Sequence, residues 1–522
     1  MVPEIKILSQ IPEISAKKFP KKRAFLCQNQ EISYQELHER SNQLSNALVK
    51  VKIKKGDRVG ILLERSIESV ISVYGILKAG AVFVPIDPTS PISRINHIIN
   101  NCEIRILISS DKQKKTLVEL SSISNHLEHI IGIESELIYK TISWDSIFSF
   151  PTSHKEINLQ EDDIAYIMFT SGTTGFPKGI VHTHKSGMSY AKLSANLYEL
   201  NHTDIIGNVA PLFFDQSTFG YFTAPLVGAE VILFSDVNLL LLGSLSKIII
   251  DEKINILYSV PIFFIQLLDA GIIKKFKSLR WILYGGEPFP SNKINDILSC
   301  LPEVAISNIY GPAEVNQCTY YHVRSAVNED ITIPIGQVWD ETKIKILNEQ
   351  DQEVRFESGE LVVHSSTMMR GYWKQENLNH KAFYHCNEDG KNISYYRTGD
   401  LVKYNENGEL LFLGRKDRQI KIRGFRIELE EVENVINQFP GIKESTILAL
   451  ESDGEKQLLA AYSLEGNSAI EINNLIGFIS KKLPKYSVPN QYFKMEILPR
   501  TLNGKIDQPA IIKRFKNESL II

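Results

Sequence analysis

The chain has 522 residues, 43% hydrophobic and 23% charged, and its 58 basic against 61 acidic side chains leave a net charge of −3. At about 150 residues per domain that length allows three to four domain-sized units with a large core, and a near-neutral balance argues against a nucleic-acid binder, whose basic charge is concentrated. Five cysteines (Cys27, Cys102, Cys300, Cys318 and Cys386) form no CxxC pair, which excludes a disulfide-stapled scaffold and points away from structural zinc.

The opening MVPEIKILSQ lacks a basic-then-apolar leader, and no stretch offers eighteen consecutive apolar residues, so the expected compartment is the cytoplasm, with no membrane partner. Residues 1–160 alternate helical and strand patterns. Gly56–Leu63 reads as a turn and a buried strand, Val70–Ala79 as a helix, and Ala81–Ile86 as a strand ended by Asp87-Pro88. The same rhythm recurs at Ile205–Ala210, Glu230–Phe234, Asn255–Val260 and Trp281–Tyr284. Short apolar runs without strict alternation suit parallel strands covered on both faces, so an α/β architecture with right-handed crossovers is expected. After about Ile331 the texture changes. Period-two stretches (KIKIL, ELVVH) and charged turns at Asn348–Gln352 and Asn405–Gly408 predict antiparallel strands over 340–416. A further change after Gly414-Arg415-Lys416-Asp417 predicts a large N-terminal part, 1–416, and a small mobile α+β domain, 417–522.

The strongest local signal is Ile164–Gly179, IAYIMFTSGTTGFPKG. An apolar strand runs into Thr170, Ser171, Gly172, Thr173, Thr174 and Gly175, then Pro177 and Lys178. Small residues let backbone N–H groups approach a polyphosphate, hydroxyls add donors, and lysine adds charge. It is not a Walker loop, which would need glycine where Pro177 stands.

This segment resembles the phosphate loop of adenylate-forming enzymes: acyl-CoA synthetases, luciferases and the adenylation domains of non-ribosomal peptide synthesis. Further motifs follow in that family's order: ISYQEL, LKAGAVFVPID, FFDQST, NIYGPAE, GELVV with RGYW, YRTGDL, GRKDRQIKIRGFRIELEEVE, LPKYSVP and NGKID. They cover about residues 30 to 510 and most resemble the amino-acid-activating branch. The resemblance implies ATP and Mg²⁺ as cofactors, with Glu314 and Thr174 on the metal. It places Tyr310 on the adenine face, Asn308 at the adenine edge with Gly286 and Glu287 near by, and Gly311 and Ala313 among the nucleotide contacts. Asp400 would take the ribose diol and Arg415 the ribose and phosphate. Lys505 would enter the closed site to hold carboxylate and α-phosphate oxygens, and Asp417 would be the hinge after which the small domain turns to a thiol donor. Ala313 stands where the family usually has threonine, and Glu430 where it usually has glycine.

For the substrate, Asp215 of FFDQST occupies the position at which amino-acid-activating members pair the α-ammonium, and an acid in so apolar a stretch needs a cationic or hydrogen-bonding partner if buried. The family's pocket positions fall on Asp215, Gln216, Phe219, Tyr258, Leu283, Gly285, Ile309, Gln317, Cys318 and Lys505. Tyr258 and Phe219 would narrow the cavity toward a small side chain. With Leu283 and Cys318 the set is similar to stand-alone enzymes that load L-proline onto a carrier protein, while Gln216 and Gln317 depart from it. With no carrier or condensation motif in the chain, the acceptor is expected in trans: the phosphopantetheine thiol of a separate carrier protein. An acyl-CoA ligase acting on a non-amino acid would have no cation for Asp215. A nucleotide-binding regulator without turnover would not need Lys505, Glu314 and Asp400 together.

Overall fold

The unalternating apolar runs become parallel strands in a computed structural model that describes residues 5–135, 137–172, 177–329, 331–452, 455–466, 468–501 and 506–519. The chain divides into two compact units: Met1–Pro88, Ile99–Phe169 and Gly179–Lys416 form the first, and Thr89–Ile98, Thr170–Lys178 and Asp417–Ile522 the second.

A nine-stranded sheet of the first unit runs Gln337–Val338, Thr319–Val323, Ala305–Tyr310, Trp281–Gly285, Ile256–Ser259, Ile205–Asn208, Glu230–Leu233, Arg23–Cys27, Gln30–Ser33. From Ala305–Tyr310 to Arg23–Cys27 every pairing is parallel, and the strands at both edges are antiparallel. Ile256–Ser259 and Trp281–Gly285 are buried along their whole length. That is why their sequences show no alternation. An eight-stranded sheet places Ile164–Thr170 beside Val82–Pro85, with Arg58–Ile61 next and Lys178–Thr183 on the other side.

Local chemistry sets the helices between them. The ISYQEL stretch is a capping box: Glu36 N donates to Ser33 Oγ (3.2 Å) and Ser33 N to Glu36 Oε2 (2.9 Å), starting the Tyr34–Lys50 helix. The LKAG stretch ends the Ile67–Lys78 helix, with Gly80 at φ +71° turning the chain toward the next strand. One apolar cluster joins Leu37, Val70, Phe83 and Tyr166 to Phe219, Tyr258, Leu283 and Ile309.

Period-two stretches behave as predicted. Thr342–Leu347 pairs antiparallel with Gly359–Ser365, Ile344 facing Val363, in a five-stranded sheet with Lys391–Tyr404, Phe383–Glu388 and Leu410–Arg415. In the second unit, Gln419–Ile422 and Phe425–Glu428 form a hairpin whose turn residues Arg423 and Gly424 both have positive φ (51° and 81°), the backbone of a two-residue primed turn. The Leu429–Ile436 and Ile472–Ser480 helices pack Val432, Ile436, Leu475 and Ile479 with Ile447 of a three-stranded sheet. No helix among the described residues is long and apolar enough to cross a membrane.

Candidate active site

Parallel strands present their carboxyl ends along one edge, the usual place for ligands in an open α/β sheet. Tyr258 stands opposite Leu283 in register, and Gly285 opposite Ile309. Residues two apart share a face, so Tyr258, Leu283, Gly285 and Ile309 lie on the same side of the sheet. Phe219 packs edge-on against Tyr258, with ring centroids 5.7 Å apart at 85°. Gly285 has no room for a side chain, because a Cβ there would lie 2.6 Å from Ile309 O.

Asp215 heads this wall. It opens the short Asp215–Ser217 turn, accepts from Gln216 N through Oδ1 (2.9 Å), and its carbonyl accepts from Thr218 Oγ1 (2.6 Å). Burial first, and the Asp215 charge with it, pushes the hydroxyls of Tyr166, Tyr190 and Tyr258 upward, so they stay protonated. Those three hydroxyls therefore lie within the field of this carboxylate. Gln216 is half-buried beside it.

The loop from Gly311 to Cys318 folds back on itself. Cys318 N donates to Tyr310 O (2.9 Å), Asn316 takes φ +62°, and a Cβ on Gly311 would lie 2.5 Å from Asn316 O. The fold-back sends Gln317 to the wall, where Nε2 donates to the Tyr258 hydroxyl (2.8 Å). Cys318 instead packs with Ile180, Val315, Ile335 and Ile346 in a separate cluster. Burial pushes its thiol up, so it is a neutral packing group.

A second group gathers around Asp400 and Glu314. Asp400 and Arg415 face each other across paired strands. Arg415 Nη1 donates to Asp400 Oδ1 and to Thr398 O, each at 2.8 Å, and Tyr310 donates its hydroxyl to the other oxygen of Asp400. Glu314 is fully buried and accepts from the Tyr372 hydroxyl (2.7 Å), which lies 3.2 Å from that of Tyr396. Ala313 O accepts from His182 Nε2 (3.0 Å) and His182 Nδ1 faces Ser186 Oγ (3.1 Å). Burial pushes His182 down to about 4, so the ring is neutral, and a carbonyl partner requires its proton on Nε2. Asn308 commits its amide to Pro334 O (2.8 Å). Gly286 takes φ +92° just past the Trp281–Gly285 strand, with Glu287 half-buried after it.

Within the second unit, Ser171 Oγ donates to Arg426 O (2.8 Å) and Lys178 Nζ stands 4.0 Å from Glu428. Thr170 Oγ1 is buried without a partner among the described residues. Asp417 accepts from Gln419 N (3.1 Å). Thr173, Thr174 and Lys505 lie outside the described residues, and with them the expected metal role of Thr174.

Among the described residues no cluster of three or more His, Cys, Asp or Glu could cage a cation. Mg²⁺ is commonly held by one or two carboxylates with phosphate and water, and the buried carboxylate of Glu314 is a fitting donor. Sequence reasoning missed Tyr166, Tyr190, His182, Tyr372 and Tyr396. Tyr372 and Tyr396 sit inside RGYW and YRTGDL, so their motifs were the available signal.

Comparison with known proteins adds an independent line. Residues 12–373 match the AMP-binding enzyme family. Bacitracin synthase 1 of Bacillus licheniformis is 32% identical over 513 residues, 98% of this chain and 9% of that protein. Tyrocidine synthase 1 of Brevibacillus parabrevis is 32% identical over 508 residues, 97% of this chain and 45% of that protein. The chain thus spans less than half the length of either relative. Among solved structures, holo-PA1221, a non-ribosomal peptide synthetase protein containing adenylation and carrier-protein domains, superposes with a TM-score of 0.82 at 25% identity, covering 97% of this chain and 84% of that one.

Proposed function

The chain belongs to the AMP-binding enzymes of the adenylate-forming superfamily, and from that membership we propose that it activates an amino acid as its aminoacyl adenylate and passes it to the phosphopantetheine thiol of a separate carrier protein in non-ribosomal peptide synthesis. An amino-acid carboxylate oxygen attacks the α-phosphorus of ATP, and pyrophosphate leaves. The carrier thiolate then attacks the acyl carbon, and AMP leaves.

The observation that carries this reading is Asp215 at the head of an apolar wall, with Tyr258, Phe219, Leu283 and Ile309 below it. A half-buried carboxylate beside an apolar wall is suited to receive a cation, and the α-ammonium of an amino acid supplies one. Asp400, flanked by Arg415 and Tyr310, would accept from the ribose hydroxyls. Thr170 would donate to a phosphate oxygen, and Ser171 would do so on releasing Arg426 O. Glu314 would hold Mg²⁺, which supplies charge neutralisation on the phosphates when bound. Lys505 would bridge the carboxylate and the α-phosphate, and Asp417 would be the hinge between the two half-reactions. Little covalent work falls to the protein; holding and neutralising dominate.

Tyr258 against Phe219 favours a small side chain, and the sequence likeness to proline-loading enzymes makes L-proline and its close imino-acid analogues the first class to try, although Cys318 packs in a separate cluster. The carrier-protein domain of the PA1221 protein supports a carrier as acceptor here. Amino-acid-dependent pyrophosphate exchange, run across the proteinogenic and cyclic imino acids with aryl and fatty acids alongside, tests the proposal. Exchange with a small amino acid is expected. Exchange only with non-amino acids would overturn it in favour of an acyl-CoA ligase.

A further inference from the structure

Gln317 is 2% exposed, and its main chain is tied down on every side. Its carbonyl accepts from Thr367 Oγ1 (3.3 Å), and the next residue donates N–H to Tyr310 O and accepts from Trp339 N, each at 2.9 Å. These bonds anchor the backbone from which the side-chain amide extends. Its Nε2 is spent on the Tyr258 hydroxyl, whereas Oε1 is buried with no partner among the described residues. A glutamine serving only as packing would normally find a backbone N–H for that oxygen, because a buried acceptor left unpaired is destabilising. This one adjoins Tyr258, the wall residue that also feels the Asp215 charge.

We infer that the amino acid bound here carries a hydrogen-bond donor on its side chain, a hydroxyl or an N–H, that pairs with Gln317 Oε1. The inference rests on the aminoacyl-adenylating reading and refines it. The wall admits a small side chain, but an apolar one would leave Oε1 buried and unpaired. A hydroxylated imino acid or a small polar amino acid would complete the pair, and so ranks above plain proline. The bond also gives the site its selectivity. A pocket that merely tolerates a hydroxyl discriminates weakly, whereas one that hydrogen-bonds it rejects the analogue lacking it by up to about 10⁴-fold.

The test is pyrophosphate exchange with matched pairs that differ by the donor: 4-hydroxyproline and 3-hydroxyproline against proline, threonine against valine, serine against alanine, and diaminopropionate against 2-aminobutyrate. The first two sets and serine probe a hydroxyl, the last an N–H. In the preferred pair the donor-bearing member is expected to lead in kcat/KM by about 100-fold or more. In Gln317→Leu, and in Gln317→Met should that variant fail to fold, the lead of the donor-bearing member is expected to be lost, because an apolar wall favours the analogue without the donor by up to about 100-fold. Apolar members leading every pair would overturn the inference while leaving amino-acid adenylation intact. A large ratio unchanged in the variants would also overturn it, because another group would then read the donor. Absence of exchange with every amino acid would instead remove the reading on which it rests.

Discussion

Asp215 stands half-buried with the hydroxyls of Tyr166, Tyr190 and Tyr258 in its field. If it pairs an ammonium, Asp215→Asn should cut amino-acid-dependent exchange by about 100- to 1000-fold, the usual effect of truncating one member of a hydrogen-bonded charge pair. ATP binding by calorimetry should change little. His182 supports a different expectation. Its ring is held down to about 4 against an ordinary 6.5, chiefly by burial. Above pH 6.5 the imidazole is neutral whether the chain is folded or not. As pH falls from 6.5 toward 4 only the unfolded chain takes up the proton, so stability present at neutral pH is lost, by roughly 3 kcal/mol for this residue. His184 and His322, also pushed to about 4 by burial, add to the same trend. Melting temperatures between pH 7 and pH 4.5 should fall, and His182→Gln should flatten part of that slope. FFDQST places the acid directly after two phenylalanines, so a sequence reading can single it out. The tyrosines around it are not legible in that way, since an aromatic in a strand or helix reads as core until the fold shows what its hydroxyl faces.

Between the Ala305–Tyr310 and Thr319–Val323 strands, one loop carries both Glu314 and Gln317. Its shape depends on Gly311, which a Cβ would drive against Asn316 O at 2.5 Å and Gln317 Cα at 2.7 Å. Gly311→Ala should lower stability by about 1–3 kcal/mol through overpacking. Because both arms of the loop move together, KM should rise for ATP and for the amino acid alike; a rise in only one would show that the arms are independent. The strands themselves were readable. Doubly buried parallel strands lose the alternation that the antiparallel Thr342–Leu347 and Gly359–Ser365 keep. The fold-back was not readable, because it depends on a left-handed backbone at Asn316, which NIYGPAEVNQC does not announce.

At the scale of the whole chain, the α/β architecture predicted from the rhythm of apolar runs is the one observed. Sequence alone gave no hint that Thr89–Ile98 and Thr170–Lys178 group with Asp417–Ile522, since such grouping follows from proximity in space and not from composition. The proposed chemistry draws Lys505 from the far end of the chain. Lys505→Ala should reduce exchange by more than about 100-fold, as for loss of one preorganised donor at a developing charge, without shifting the melting temperature. The strand-borne wall has a separate consequence. Tyr258, Leu283 and Ile309 hang from backbones whose register is fixed by main-chain pairing with their neighbours. Their side chains can be exchanged without disturbing the ladder that spaces them. A library randomising those positions together with Gln317 should yield folded catalysts of altered appetite, which makes this edge the natural place to begin retargeting the enzyme.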